Sequence, residues 1–267
     1  MEKIFKEVDK IINPLPSLGF DIVKTETTNF DTKLGGLPYW PKDMKYPVDE
    51  DGETLDLLVQ LNFNELPHIK DFPEHGILQI FIGSDCYGSD YSNPTNQSNF
   101  KVIYHENIVK GNLLETLPEH SEDYYEELPF RGEYKLVPLE VKDMYVDAYD
   151  YRFGEIFCKI YNKSNEDNPI ESLYELEDEL ADSCYERNDR PIIFIGGYPI
   201  FAQDDPRDYN DDIKDCNIVL FESDSIYDKS KGLDIMWGDS GTGAFLIPLE
   251  NLKKLDFSRV AYNFDCC

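Results

Sequence analysis

Ile195-Gly196-Gly197-Tyr198-Pro199-Ile200-Phe201-Ala202-Gln203-Asp204-Asp205-Pro206-Arg207 decides the reading of this sequence, because part of it occurs twice. Gly35-Gly36-Leu37-Pro38-Tyr39-Trp40 is the earlier copy, and both run Gly-Gly-x-Pro into an apolar pair. The same offset carries Leu57-Leu58-Val59-Gln60-Leu61-Asn62 onto Ile218-Val219-Leu220-Phe221-Glu222-Ser223. Gly76-Ile77-Leu78-Gln79-Ile80 finds a counterpart in Gly243-Ala244-Phe245-Leu246-Ile247 once about six extra residues are allowed, a loop-sized change. Two glycines shortly before a proline open backbone angles closed to other residues and then fix φ, which makes a tight turn or a close backbone approach. The pattern of turn, strand, long connection and strand, used twice, predicts an α+β fold. That fold is a strand-rich single body over residues 1–267, built from two duplicated halves with a few peripheral helices. The pseudo-repeats fall at approximately 33–105 and 194–250.

Composition narrows the function classes. The chain of 267 residues has 41% apolar content with 16 Phe and 18 Tyr, enough for a sizeable core. It carries 54 acidic against 25 basic residues, a net charge of -29. Such a surface repels nucleic-acid phosphates and anionic membranes and attracts basic proteins, polyamines or divalent cations, unless the charge serves solubility alone. The six cysteines form no Cys-x-x-Cys, and no apolar run has the length of a signal peptide or membrane span. Scattered thiols without a secretion signal point to a reducing cytoplasm, with the adjacent Cys266 and Cys267 read as spare thiols.

Along the chain, Ile4, Phe5, Val8, Ile11 and Ile12 predict an amphipathic helix over 2–12, ended by Asn13-Pro14. Strands are expected at Phe20–Val23, Thr25–Phe30, Leu55–Phe63, Ile77–Ile82 and Val102–Tyr104. Residues 83–99 read as a long irregular loop, the kind of segment where binding residues concentrate. Glu119, Glu122, Asp123, Glu126 and Glu127 predict a solvated acidic face. Residues 139–161 read as strands, and Asn168-Pro169 opens a helix lined by Leu173, Leu176, Leu180, Ala181 and Cys184. Strands then follow at Ile192–Ile195, Ile218–Phe221, Gly243–Ile247 and Val260–Phe264, with a short helix after Pro248.

No complete catalytic set is visible, and no cofactor is expected. Gly238-Asp239-Ser240-Gly241 resembles a serine-protease motif, but none of His68, His75, His105 or His120 stands in the context that chemistry needs. Asp208-x-Asn210-x-Asp212 opens like a calcium loop and then fails at Ile213 and Val219, where a glycine and a bidentate Glu belong. There is no phosphate-cradling glycine loop and no zinc-ligand spacing, so no metal is assigned. What remains is a candidate cleft between the halves, lined by Gln60, Gln203, Asp205, Arg207, Trp237 and Asp239. The competing reading has Gln60 and Gln203 bonded to turn backbone and Arg207 paired with Asp205 or Asp239.

These residues also carry a likeness. Lys33 to Pro41, Leu58 to Asn62, Gly76 to Ile82, Gly196 to Pro199, Gln203 to Arg207, Met236 to Gly241 and Asp256 to Cys266 together resemble the YwqG-like proteins of bacteria, in order along nearly the whole chain. Members commonly carry Trp where Phe264 stands. The resemblance implies a mixed α/β fold and a cytoplasmic bacterial protein, and it implies no chemistry. Some relatives lie near toxin and immunity genes, which makes an immunity-type role an expectation. The sequence therefore predicts a non-enzymatic acidic protein that holds a basic protein partner, with no nucleic acid and no membrane. The alternative is a small-molecule or divalent-ion protein, enzymatic or not, that uses the cleft.

Overall fold

The computed structural model describes residues 1–120, 124–125 and 127–266. Of the predicted acidic face, Glu122, Asp123 and Glu126 lie outside the described residues, as does Cys267. In chain order the elements are α1 (Glu2–Ile11), β1 (Leu15–Val23), β2 (Lys33–Gly35), β3 (Asp56–Asn62), β4 (Ile77–Ile82), β5 (Phe100–His105), β6 (Glu133–Pro138) and β7 (Lys142–Met144). There follow α2 (Phe153–Ser164), α3 (Asp178–Tyr185), β8 (Ile193–Gly196), β9 (Ile218–Asp224), β10 (Ile226–Asp228), β11 (Leu233–Ile235), β12 (Thr242–Ile247), α4 (Leu249–Lys253) and β13 (Ala261–Asp265).

One antiparallel sheet runs β13-β12-β9-β8-β1-β6-β2-β3-β4-β5, with β7 added beside β1, while β10 and β11 form a separate hairpin. The order is the same kind of path from either end. A three-strand meander, β3-β4-β5 or β9-β12-β13, leads inward to a Gly-Gly strand, β2 or β8, and the two arms meet at the β1·β6 pair. The opening strands cross over. β1 precedes β2 in the chain yet pairs with β8, and β6 precedes β8 yet pairs with β2.

The two corners are made alike. Gly35 and Gly196 have φ of 60° and 71°, and Gly36 and Gly197 of 68° and 70°. A Cβ on Gly35 would lie 2.2 Å from the Gly132 carbonyl oxygen, and one on Gly196 would lie 2.3 Å from that of Pro16. Only glycine permits both the left-handed backbone and that approach. Each arm also carries an irregularity at the same rung, between Leu57 and Val59 in β3 and opposite the Phe245/Leu246 step in β12.

The sheet curls into a half-barrel, so the side chains of its end strands meet. Phe100 of β5 packs 5.4 Å from Tyr262 of β13 and 5.8 Å from Phe245 of β12. The inner core takes Leu18, Leu34, Val59, Ile80, Ile195, Leu220 and Phe245 from both arms. Outside the second arm, Phe194, Val219, Ala244 and Leu246 point the other way and pack under α1, α2 and α3. Burial on both faces explains why β3, β4, β9 and β12 read as near-continuous apolar runs although the sheet is antiparallel.

Several expectations are corrected. Residues 153–164 are helix, because Phe153, Phe157 and Tyr161 repeat every four residues and stack along one side. The expected helix after Asn168 starts later. Ser172 and Glu175 form a capping box on a short 3₁₀ turn, and α3 follows from Asp178. Residues 25–30 are irregular and end in a turn at 29–30, and β1 instead begins at Leu15. The 83–99 loop closes the curl: Pro94 accepts a hydrogen bond from the Tyr262 amide at 2.9 Å, and Gln97 donates to the Phe257 carbonyl at 2.7 Å.

The corner geometry sets a test in urea unfolding. Gly52 (φ 90°) has open space around its Cβ position, so Gly52→Ala is expected to lose only about 1–2 kcal/mol of conformational strain. Gly196→Ala adds a clash with an immovable backbone oxygen, and its loss is expected to reach roughly 3 kcal/mol or more. Equal losses at the two positions would remove the close approach as the reason for glycine.

Candidate functional site

The six residues of the expected cleft do not share one. Gln60 is wholly buried in β3, and its amide is fully used. Its Oε1 accepts from the Tyr39 amide and from Gln79 Nε2, each at 2.8 Å, and its Nε2 donates to the carbonyls of Asn29 and Asp31, each at 2.9 Å. Gln203 is exposed and ties its loop to β13, the backbone N–H donating to Asp265 Oδ2 at 2.7 Å and Nε2 to the Cys266 carbonyl at 2.6 Å. Arg207 is buried with Asp205 at 2.6 Å and Asp150 at 3.0 Å, and this knot fixes the 147–152 turn to the 205–207 turn. Trp237 is buried and donates to Ser223 Oγ at 3.3 Å, whereas Asp239 is exposed on the turn that follows. None of the six lines any of the three cavities described here.

The segments around them do converge. Ile200, Phe201 and Ala202 follow the second Gly-Gly-Tyr-Pro, and Met236, Ser240 and Gly241 flank the Trp-Gly-Asp-Ser turn. Together with Tyr149, Asp224, Tyr227 and Thr242 they enclose a cavity of about 450 Å³. Its polar centre is Asp224, which accepts from Thr242 Oγ1 at 2.8 Å. The register sets Asp224, Thr242 and Asp265 side by side across β9, β12 and β13, on one face of the sheet. Glu222, two residues back in β9, shares that face and is wholly buried. Its Oε1 accepts from the Ile200 amide at 2.9 Å, while Oε2 has no partner.

Burial, reinforced by Asp224, pushes the Glu222 carboxyl well above its usual range, so it is held neutral. Burial likewise raises Asp224 and Asp265. The first arm shows what this replaces. Lys33 faces Gln60 and Phe194 faces Glu222, so the register makes Gln60 and Glu222 equivalent. Tyr39 N–H binds Gln60 as Ile200 N–H binds Glu222. A protonated glutamic acid and a glutamine thus occupy one role, and Asn62 and Asp224 occupy the next. Gln60-Leu61-Asn62 and Glu222-Ser223-Asp224 display this polar alternation in the sequence. A one-residue slip across the strand irregularity set Phe221 against Gln60 and hid it.

A larger cavity of about 880 Å³ lies over β1, where the arms join. Phe20, Val23, Leu139 and Met144 line it, with Lys24 and Lys142 among its charged residues. A third, of about 490 Å³, lies beside the first Gly-Gly corner. Lys33 is buried nearby, and burial lowers it to about 8. Its ammonium donates to Thr27 Oγ1 and to the carbonyls of Thr28 and Leu37, so it pins the turn. Among the described residues no group of three or more His, Cys, Asp or Glu side chains is placed to hold a metal ion. Nor is any described helix long and apolar enough to cross a membrane.

The fold therefore defines a mostly-β protein with a curled antiparallel sheet. Residues 32–266 match the family described as a domain of unknown function (DUF1963), and the chain belongs to it. No curated protein matches the chain.

Two substitutions check this geometry. Arg207→Met strands the buried Asp205 carboxylate and leaves Asp150 with Arg152 alone, and is expected to cost about 3–5 kcal/mol in urea unfolding. Adding Asp205→Asn is expected to recover part of that loss, and no recovery would argue against the pairing. For Glu222 the folded value lies above the ordinary 4.5 of the unfolded chain. The folded state therefore binds the extra proton, and the contribution is full below about pH 4.5 and lost as pH rises through the folded value. Glu222→Gln keeps the position neutral, so its melting temperature is expected to fall less between pH 5 and 8 than that of the parent chain. Parallel pH profiles would reject a neutral Glu222.

Proposed function

We propose that this chain is a cytoplasmic, non-enzymatic binding protein that uses its acidic surface to hold a basic protein, in an immunity-type role. One observation carries the reading: 54 acidic residues against 25 basic ones, with the buried cations already committed inside. Arg190 is paired with Asp147, Arg207 with Asp205 and Asp150, and Arg187 with Asp9. Internal charge largely cancels, so the excess of -29 faces outward, where it speeds encounter with a basic partner and confers specificity. The likeness to the YwqG-like proteins of bacteria supports the same reading.

We also read the chain as two duplicated arms. The strand order running alike from both ends, the paired Gly-Gly corners and the matched strand irregularities support this, with the second repeat extending through β13 to Asp265. The second functional reading is a small-molecule protein. The 880 Å³ cavity where the arms join favours it, since its volume lies in the range of ligand pockets and its lining sets charged side chains beside apolar ones.

Affinity capture from native lysate at low and high salt tests the first reading. A protein of high isoelectric point is expected to co-purify at low salt and to dissociate as salt rises. Absence of any basic protein at either ionic strength would refute it and leave the cavity as the site to examine.

A further inference from the structure

Among the described residues the fully buried aspartates are ion-paired. Asp147 has Arg190, Asp150 has Arg152 and Arg207, and Asp205 has Arg207. Asp224 and Asp265 are half-buried and have no ion-pair partner among the described residues. A charge taken from water without a counter-charge is unfavourable, so a cation that reaches Asp224 gains a carboxylate that no protein cation neutralises by contact. Asp265 Oδ1, on the strand beyond Thr242, is also buried without a hydrogen-bond partner among the described residues, whereas Glu222 is held neutral and needs no counter-charge. Arg190 acts on Asp224 and Glu222 from a distance and is itself ion-paired with Asp147.

The walls of the cavity say which kind of cation fits. Beside Asp224 it offers Tyr149, Phe201, Tyr227 and Met236, an aromatic and thioether lining that suits an organic cation with an apolar stem. Among the described residues no group of three or more His, Cys, Asp or Glu side chains is placed there to hold a metal ion. We propose that the Asp224 pocket is an organic-cation site, taking an ammonium or guanidinium head against the carboxylate and its stem between Tyr149 and Tyr227. It deepens the basic-partner reading by naming where an arginine or lysine side chain of that partner seats. A free polyamine carries the same chemistry.

Titration calorimetry on the full chain with N-acetyl-arginine amide and with spermidine tests the pocket. Saturable binding is expected, weakened at least tenfold by Asp224→Asn. Asp239→Asn, which removes the same charge from the neighbouring exposed turn, is expected to leave it within twofold. Tyr227→Ala alters a side chain that is 66% exposed, so folding is retained, and a loss of about threefold is expected. No saturable binding of either probe, or equal loss in Asp224→Asn and Asp239→Asn, overturns the proposal, because the general acidic field would then account for everything. Tighter binding of spermidine assigns the cation to a free polyamine, and tighter binding of the arginine amide assigns it to a protein side chain; either order supports the pocket. The capture experiment separates the two ideas. A basic partner held equally by the parent and Asp224→Asn keeps the partner and removes this pocket from it. Probe binding without any partner keeps the pocket and removes the partner.

Discussion

Each Gly-Gly corner presses its backbone against a chain segment far away in the sequence, and the sheet depends on those two contacts. Gly35 lies on Gly132, just ahead of β6, and Gly196 lies on Pro16 in β1. A side chain at either place would hold the strands apart and open the centre of the sheet. Because β1 completes the second arm and β6 the first, neither arm can bury its inner face alone. The Phe100, Phe245 and Tyr262 contact then closes the curl from its far ends.

Much of this was legible because the two-sided burial of the strands writes apolar runs into the sequence. β3, β4, β8, β9 and β12 announce themselves, and the paired glycines announce the corners. What stayed hidden has physical reasons. β2, β7, β10 and β11 are three residues each, too short to show a period. Ile156, Phe157 and Ile160 fit a strand about as well as a helix until Phe153 and Tyr161 are counted with them. The exchange of opening strands leaves no local trace, since pairing partners far apart in the chain are not encoded in any window. At the cavity beside Asp224, the residues singled out from the sequence lie on two of its loops without lining it. Gln203 and Trp237 hold those loops from behind, while Ile200 to Ala202, Met236 and Ser240 face the cavity.

The interior treats charge in two ways. Around Arg207 every buried carboxylate meets a guanidinium, and the result is a knot that orders three turns. Along β9 and β13 the carboxyls meet hydroxyls and amides instead, and Glu222 takes on the part that an amide plays in the other arm. The first arm settles the matching positions with Gln60, Gln79 and His105, a closed network in which Gln79 bridges the other two at 2.8 and 2.9 Å. Ala244 stands where Gln79 would and cannot bridge, so the second arm keeps its polar row open.

The exchange of opening strands also sets a timetable for synthesis. Ser17 of β1 bonds to the Ile195 carbonyl in β8, 178 residues further along. At ordinary translation rates β1 leaves the ribosome roughly 10–35 s before β8 exists to receive it. During that interval its backbone donors and acceptors stay open, and β7 and β6 are its first native neighbours. The nascent protein thus carries its central strand as a waiting half-ladder, protected by the acidic repulsion between chains until the second glycine corner arrives.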